Sequence, residues 1–310
     1  MRVKASTWLW AALVVALAPL LGFKKEDAEF RCYMVHKGNC TVWQGEAGAV
    51  LIRFFRPPVS VRGELWKGEF AFKSETEDKL FWSAYVPAGR YQTPGEYLLH
   101  IFAGEALGGE TEFLLPMVIE PRQYAVERLT LPDEMVDLSP EAVAVVNNDN
   151  KVLLAAMSGV NPEILREGAF VAPVPGPLDA NFGMGRIVNN MPKSPHNGVD
   201  LKASEGQEVA ASNSGRVAKV YQGYLTGRAV ILDHGGGMYS VYFHLSKPKV
   251  SEGELVRKGQ VIALSGSTGR SSGPHLHFAV RLNKVYVNPK SVVDASAWLA
   301  DTVSNLKQLK

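Results

Sequence analysis

Gly273-Pro274-His275-Leu276-His277-Phe278 sets two imidazoles two residues apart in a run that reads as a β-strand. Residues i and i+2 of a strand point to the same face, about 7 Å apart. His275 and His277 therefore share one wet or metal-bearing surface, while Leu276 and Phe278 point the other way, into a core. A His-x-His pair taken alone also fits an ordinary satisfied pair on a strand edge, so its meaning rests on the surrounding chain.

Outward from this stretch, glycine punctuates the chain between Phe170 and about Val293, with β-branched runs at 207–211, 215–220, 229–233, 239–244, 260–265 and 276–281. That texture predicts a compact all-β domain of hairpins over 170–294, entered through the proline-rich residues 171–177. Helical periodicity returns only near Ser291, so a C-terminal helix over 295–310 closes the chain.

Ahead of it, residues 40–120 read as short strands (49–55, 63–73, 79–86, 96–103, 111–120) separated by Pro- and Gly-rich turns. This predicts an Ig-like β-sandwich over 30–121, a surface open to a protein partner. His36 and His100 have no partner at metal spacing there and read as surface and strand-packing residues. The connector 122–169 begins extended and then carries two helix starts, Ser139-Pro140-Glu141 and Asn161-Pro162-Glu163, with Asn147-Asn148-Asp149-Asn150 as a polar break between them.

Arg2 and Lys4 precede an uncharged apolar stretch, residues 5–23, which reads as an export signal. Ala16-Leu17-Ala18 is its small-residue site, but Pro19 is poorly placed for a cut, and the stretch is marginal against the roughly 20 residues of a span. Removed as a signal peptide or kept as an inner-membrane anchor, residues 1–23 put the body in a periplasmic or other extracytoplasmic space. No lipobox-like sequence precedes Cys32. In an oxidising compartment Cys32 and Cys40, with Gly38-Asn39 between them, are expected to form a disulfide. The 310 residues suffice for two domains, and a net charge of +2 from 33 basic and 31 acidic residues gives no case for a nucleic-acid partner.

Within the C-terminal domain stand two further polar groups. Ser194-Pro195-His196-Asn197-Gly198-Val199-Asp200 reads as a turn entering a strand, which can bring an imidazole and a carboxylate together, and His244 ends the β-rich run before Leu245-Ser246. Catalytic zinc sites use three protein ligands and leave one position open. His196, Asp200 and one imidazole of the 275/277 pair supply such a set, leaving the other imidazole and His244 for acid-base work. His234 reads as a turn histidine.

In order along the chain come Asn181-Phe182-Gly183, His196-Asn197-Gly198-Val199-Asp200, Gly206 with Val209-Ala210-Ala211, Gly215-Arg216-Val217, Ile231-Leu232-Asp233-His234-Gly235, Tyr242-Phe243-His244-Leu245-Ser246, Val256-Arg257-Lys258-Gly259-Gln260 and Gly266 through Phe278. This ordered series, covering most of 173–289, closely resembles the lysostaphin/LytM-type zinc endopeptidases of bacterial cell walls. The resemblance implies one Zn2+ per chain held by His196, Asp200 and His277. It implies His275 as general base on the metal's water and His244 as a stabiliser of the developing oxyanion. Some relatives place an oxyanion tyrosine shortly before the first ligand; Asn189-Asn190-Met191-Pro192-Lys193 has none. Arg122 through Pro132 is similar, more loosely, to small β domains that precede such peptidases. The implied function is an exported endopeptidase cutting peptide cross-links or stem peptides of peptidoglycan. The alternatives on the same fold are a non-catalytic wall-binding regulator or amidase activator, and an exported protease acting on proteins. The turns 223–227, 235–237 and 266–273 are candidate cleft walls, and Asn181 or a connector segment is a candidate for filling the metal's open position at rest.

Overall fold

Along Glu110–Glu120 the buried residues alternate, Thr111, Phe113, Leu115, Met117 and Ile119, with partly covered or exposed ones between. That period of two makes a strand with one face in a core. The computed structural model describes residues 24–33, 35, 36, 39–65, 68–130, 138–178 and 181–308. The apolar stretch 5–23 lies outside them.

The N-terminal strands are β1 (Ala28–Cys32), β2 (Val35–His36), β3 (Asn39–Trp43), β4 (Ala47–Phe54), β5 (Val61–Leu65), β6 (Gly68–Ala71), β7 (Lys73–Ser74), β8 (Phe81–Pro87), β9 (Gly95–Gly104) and β10 (Glu110–Glu120). They form a four-stranded sheet, β1-β4-β8-β7, and a six-stranded sheet, β2-β3-β10-β9-β5-β6. Ile52, Phe54, Leu99, Ile101 and Phe113 fill the space between them. Cys32 and Cys40 are joined as a disulfide. The run 63–73 is not one strand: β5 and β6 pair antiparallel as a hairpin, because strong β propensity across the run hides the reversal. His100 is not a plain packing residue either, for its Nδ1 meets Glu112 Oε1 at 2.5 Å on the exposed face of β9 and β10.

Among its described residues the connector gives β11 (Val126–Leu129) and one helix, α1 (Pro140–Ala156). Ser139 Oγ caps it by accepting from Ala142 N, and it runs unbroken through Asn147–Asn150. Asp149 does not break it because its buried carboxylate accepts from Tyr221 Oη at 2.8 Å and Tyr224 N at 2.7 Å. Asn161-Pro162-Glu163 starts no helix: Asn161 Oδ1 accepts from Glu163 N in a local turn, and its carbonyl accepts from Gly236 N.

The C-terminal strands are β12 (Gly185–Val188), β13 (Met191–Lys193), β14 (Val199–Lys202), β15 (Glu208–Ala210), β16 (Gly215–Gly223), β17 (Gly227–Asp233), β18 (Met238–Pro248), β19 (Leu255–Val256), β20 (Val261–Ser265), β21 (His275–Leu282) and β22 (Val285–Val287). The main path is β14-β21-β18-β17-β16-β19, while β11, β12 and β13 make a small separate sheet. Leu276 and Phe278 are fully buried, with Tyr242 and Leu232 in the same core.

The chain closes with α2 (Pro289–Gln308), which starts earlier than residue 295 because Asn288 Oδ1 accepts from Lys290 N just inside its first turn. Its Val292, Ala295, Leu299 and Val303 pack against Ala47, Ala49 and Leu51. Both faces of β4 are therefore covered, which is why only Arg53 in that strand is exposed.

Candidate metal centre

Strand pairing alone assembles half of the site. The register of β14 on β21 sets Asp200 opposite His277 and Lys202 opposite His275, and β18 on β21 sets Phe243 opposite His277. His196 comes from the segment before β14, held by Gly183 N donating to its carbonyl and by its own N–H on Met184 O. Gly198 lets this segment close on β21, since a Cβ there would stand 2.6 Å from Phe278 O and 2.7 Å from His277 Nε2.

Three donor atoms converge. His196 Nε2 lies 3.1 Å from Asp200 Oδ1, His277 Nδ1 lies 3.0 Å from the same oxygen, and the two nitrogens are 2.9 Å apart. Ligand atoms of a tetrahedral zinc with bonds of about 2.0–2.1 Å stand roughly 3.3 Å apart, so the set fits with a small expansion. His196 Nδ1 faces the Asn181 carbonyl at 3.2 Å. A carbonyl can only accept, so that nitrogen carries the proton and Nε2 offers its lone pair. Asn181 also grips Asp200, donating from Nδ2 to Oδ2 and accepting Asp200 N–H, each at 3.1 Å. Burial alone would raise the Asp200 carboxyl, but the His196 and His277 rings set against it outweigh that and hold the group well below the usual carboxylate range. Burial pushes His277 down, toward the neutral form a metal needs.

His275 stands outside this triad, with Nε2 3.7 Å from Asp200 Oδ1. Its Nδ1 faces the Gly273 carbonyl at 2.8 Å, so Nε2 is the basic nitrogen. His244 is fixed in the same way, by Thr268 O at 2.8 Å from its Nδ1, and burial pushes its pKa down to about 4. Its backbone is left-handed, with φ of 62°, which turns the side chain out of the β18 alternation; nothing in the sequence signals this. Phe243 stacks on His277 at 5.4 Å and 12°.

Residues 194–289 match the family model of Peptidase family M23. The chain carries an M23 peptidase domain. A protein of Haemophilus influenzae described as an uncharacterized metalloprotease is 50% identical over 99 residues, 32% of this chain and 21% of that protein. The peptidoglycan DD-endopeptidase ShyB of Vibrio cholerae is 36% identical over 121 residues, 39% of this chain and 26% of that protein. A crystal structure from Pseudomonas aeruginosa assigned to peptidase M23 superposes with a TM-score of 0.62 at 25% identity, over 81% of this chain and 94% of that one. The aligned parts thus span only 21% and 26% of the two curated relatives.

Beside the His196–Asp200–His277 cluster opens a cavity of about 720 Å³, lined among others by Lys202, Glu205, Gln207, Ser272 and Pro274. Of the glycine-rich turns, 266–273 contributes to that wall, and 223–227 supports it, since Arg228 N donates to Thr268 Oγ1 and Thr226 O accepts from His244 N. The turn 235–237 does not: Gly235 is pressed against the connector at Glu163 and Ile164. His234, in the turn between β17 and β18, is also fully buried. Its Nδ1 donates to Ser214 O at 2.8 Å and its Nε2 meets Ser240 Oγ at 2.7 Å.

The M23 domain is braced from the other half of the chain. Tyr124 Oη donates to Gln44 O at 2.6 Å, its ring meets Phe182 at 6.2 Å, and Arg90 lies over it at 4.3 Å. β11 pairs in parallel with β12, so the segment following the Asn181 turn is tied to the connector.

Proposed function

We propose that this chain is an extracytoplasmic zinc metallo-endopeptidase that hydrolyses peptide cross-links or stem peptides of peptidoglycan. The observation that carries the reading is the meeting of His196, Asp200 and His277 within bonding distance of one point, with two further imidazoles facing it whose tautomers are fixed by carbonyls. The similarity to a peptidoglycan DD-endopeptidase supports the substrate class.

His196 Nε2, Asp200 Oδ1 and His277 Nδ1 would hold a zinc ion, which would supply Lewis acidity toward the scissile carbonyl and the attacking water. His275 Nε2, its lone pair exposed by the Gly273 contact, takes the proton from the attacking water and returns it to the leaving amine. His244 starts neutral with its Nδ1 donating to Thr268 O, and would aid the developing oxyanion only after its Nε2 takes up a proton from solvent. Asn181 keeps Asp200 turned toward the two nitrogens. The N-terminal sandwich, Ig-like by its strand texture, and the connector act as a support for the site through Tyr124 and Phe182.

Digestion of purified peptidoglycan by the whole chain tests this reading, with mass analysis of the products. New amino termini within the peptides are expected. A zinc-loaded protein that binds the wall and releases nothing would favour the regulator instead.

A further inference from the structure

One end of the N-terminal sandwich carries exposed apolar side chains that no core claims. Phe55 is 56% exposed, Val59 57% and Leu107 100%. They come from two different loops, the β4–β5 link and the β9–β10 hairpin tip, which the Val59 N to Gly104 O and Gly104 N to Ser60 O hydrogen bonds tie together. The chain enters the sandwich at this same end: Phe55 N donates to Asp27 O, and Arg56 pairs with Asp27 at 3.7 Å. Immediately before that entry lies the apolar stretch 5–23, only one residue from Lys24.

We infer that this end of the sandwich is a membrane-facing surface, with Phe55, Val59 and Leu107 entering the headgroup region of the bilayer beside the point where residues 5–23 leave it. Aromatic and aliphatic side chains at a loop tip gain by burial at the acyl boundary, and a neighbouring apolar segment supplies the second attachment that stable anchoring needs. Charge plays little part, because Arg53, Arg56 and Lys79 are interspersed with Asp27, Glu77 and Asp78 at this end. The metal centre is at the opposite end. Tyr124 and Gln44, which brace the Asn181 turn, stand by the start of β4, and Phe55 follows its end. The eight residues of β4 span about 27 Å at roughly 3.4 Å each, so the sandwich is a strut that holds the cleft away from the lipid. The inference holds whatever bond the cleft cuts.

The test uses the full chain in vesicles of phosphatidylethanolamine and phosphatidylglycerol, with an environment-sensitive dye placed singly by Val59→Cys, Leu107→Cys or Tyr91→Cys. Tyr91 is 77% exposed and follows the Gly89–Arg90 turn at the cleft end, so it is the control. Dye at 59 and 107 is expected to shift to the blue and to be quenched about twofold or more by spin-labelled lipid, with dye at 91 unaffected and no loss in high salt. Equal quenching at all three positions, no quenching at 59 and 107, or a chain that stays in solution would overturn the inference.

Discussion

The imidazoles of His244 and His275 stand with ring centroids 4.7 Å apart, each with Nδ1 on a main-chain carbonyl, Thr268 for one and Gly273 for the other. Their outward nitrogens are both proton acceptors, next to a triad that has its own lone pairs turned inward. Under the proposed function, this separates holding a metal from moving a proton.

His275→Ala is expected to keep zinc and lose about 10²- to 10⁴-fold in kcat, the usual worth of a general base. His277→Ala is expected to lose the zinc itself. Metal content and turnover measured together on both variants check the division; loss of zinc from His275→Ala would move that residue into the ligand set.

Asn181→Ala removes both hydrogen bonds that orient Asp200. Zinc affinity, read by competition with a chelator, is expected to fall about 10- to 100-fold with the fold intact. An unchanged affinity would show that the β14–β21 register alone holds the carboxylate.

His234 is buried, and its pKa is pushed down to about 4 from 6.5. A histidine whose folded pKa is lowered binds its proton more readily when unfolded, so its contribution is fully present above pH 6.5 and is lost as pH falls from there toward 4. The contribution is on the order of 3 kcal/mol. Denaturant unfolding across that window should show a stability difference between the native chain and His234→Gln that narrows as pH falls; a constant difference would contradict the assignment.

Leu299 is buried between α2 and the four-stranded sheet, so Leu299→Ala should cost about 2–4 kcal/mol. Because the site it leaves is lined from both halves of the chain, thermal unfolding should shift as one transition. A shift confined to the M23 domain would show that the two halves fold independently.

The candidate ligand residues stand out because their chemistry is local in sequence: a His-x-His on one strand face, and a His and an Asp at either side of a tight turn. What strand register adds is their meeting, Asp200 opposite His277, which spacing could not supply. The connector was misread where side chains act at long range. Asp149 looks like part of a helix break until Tyr221 and Tyr224 are seen to bind it. His234 does sit in a turn beside three glycines, but nothing local in the sequence shows that Ser214 and Ser240 enclose it. The left-handed backbone of His244 had no sequence signal, since the residue that most often marks that conformation is glycine.

The most direct measurement is digestion of purified peptidoglycan by the zinc-loaded chain beside His275→Ala, with zinc counted in both proteins. One zinc per chain in each, with peptide release by the native protein alone, is the predicted result. Equal release by both, or none by a native chain carrying its zinc, would contradict the account.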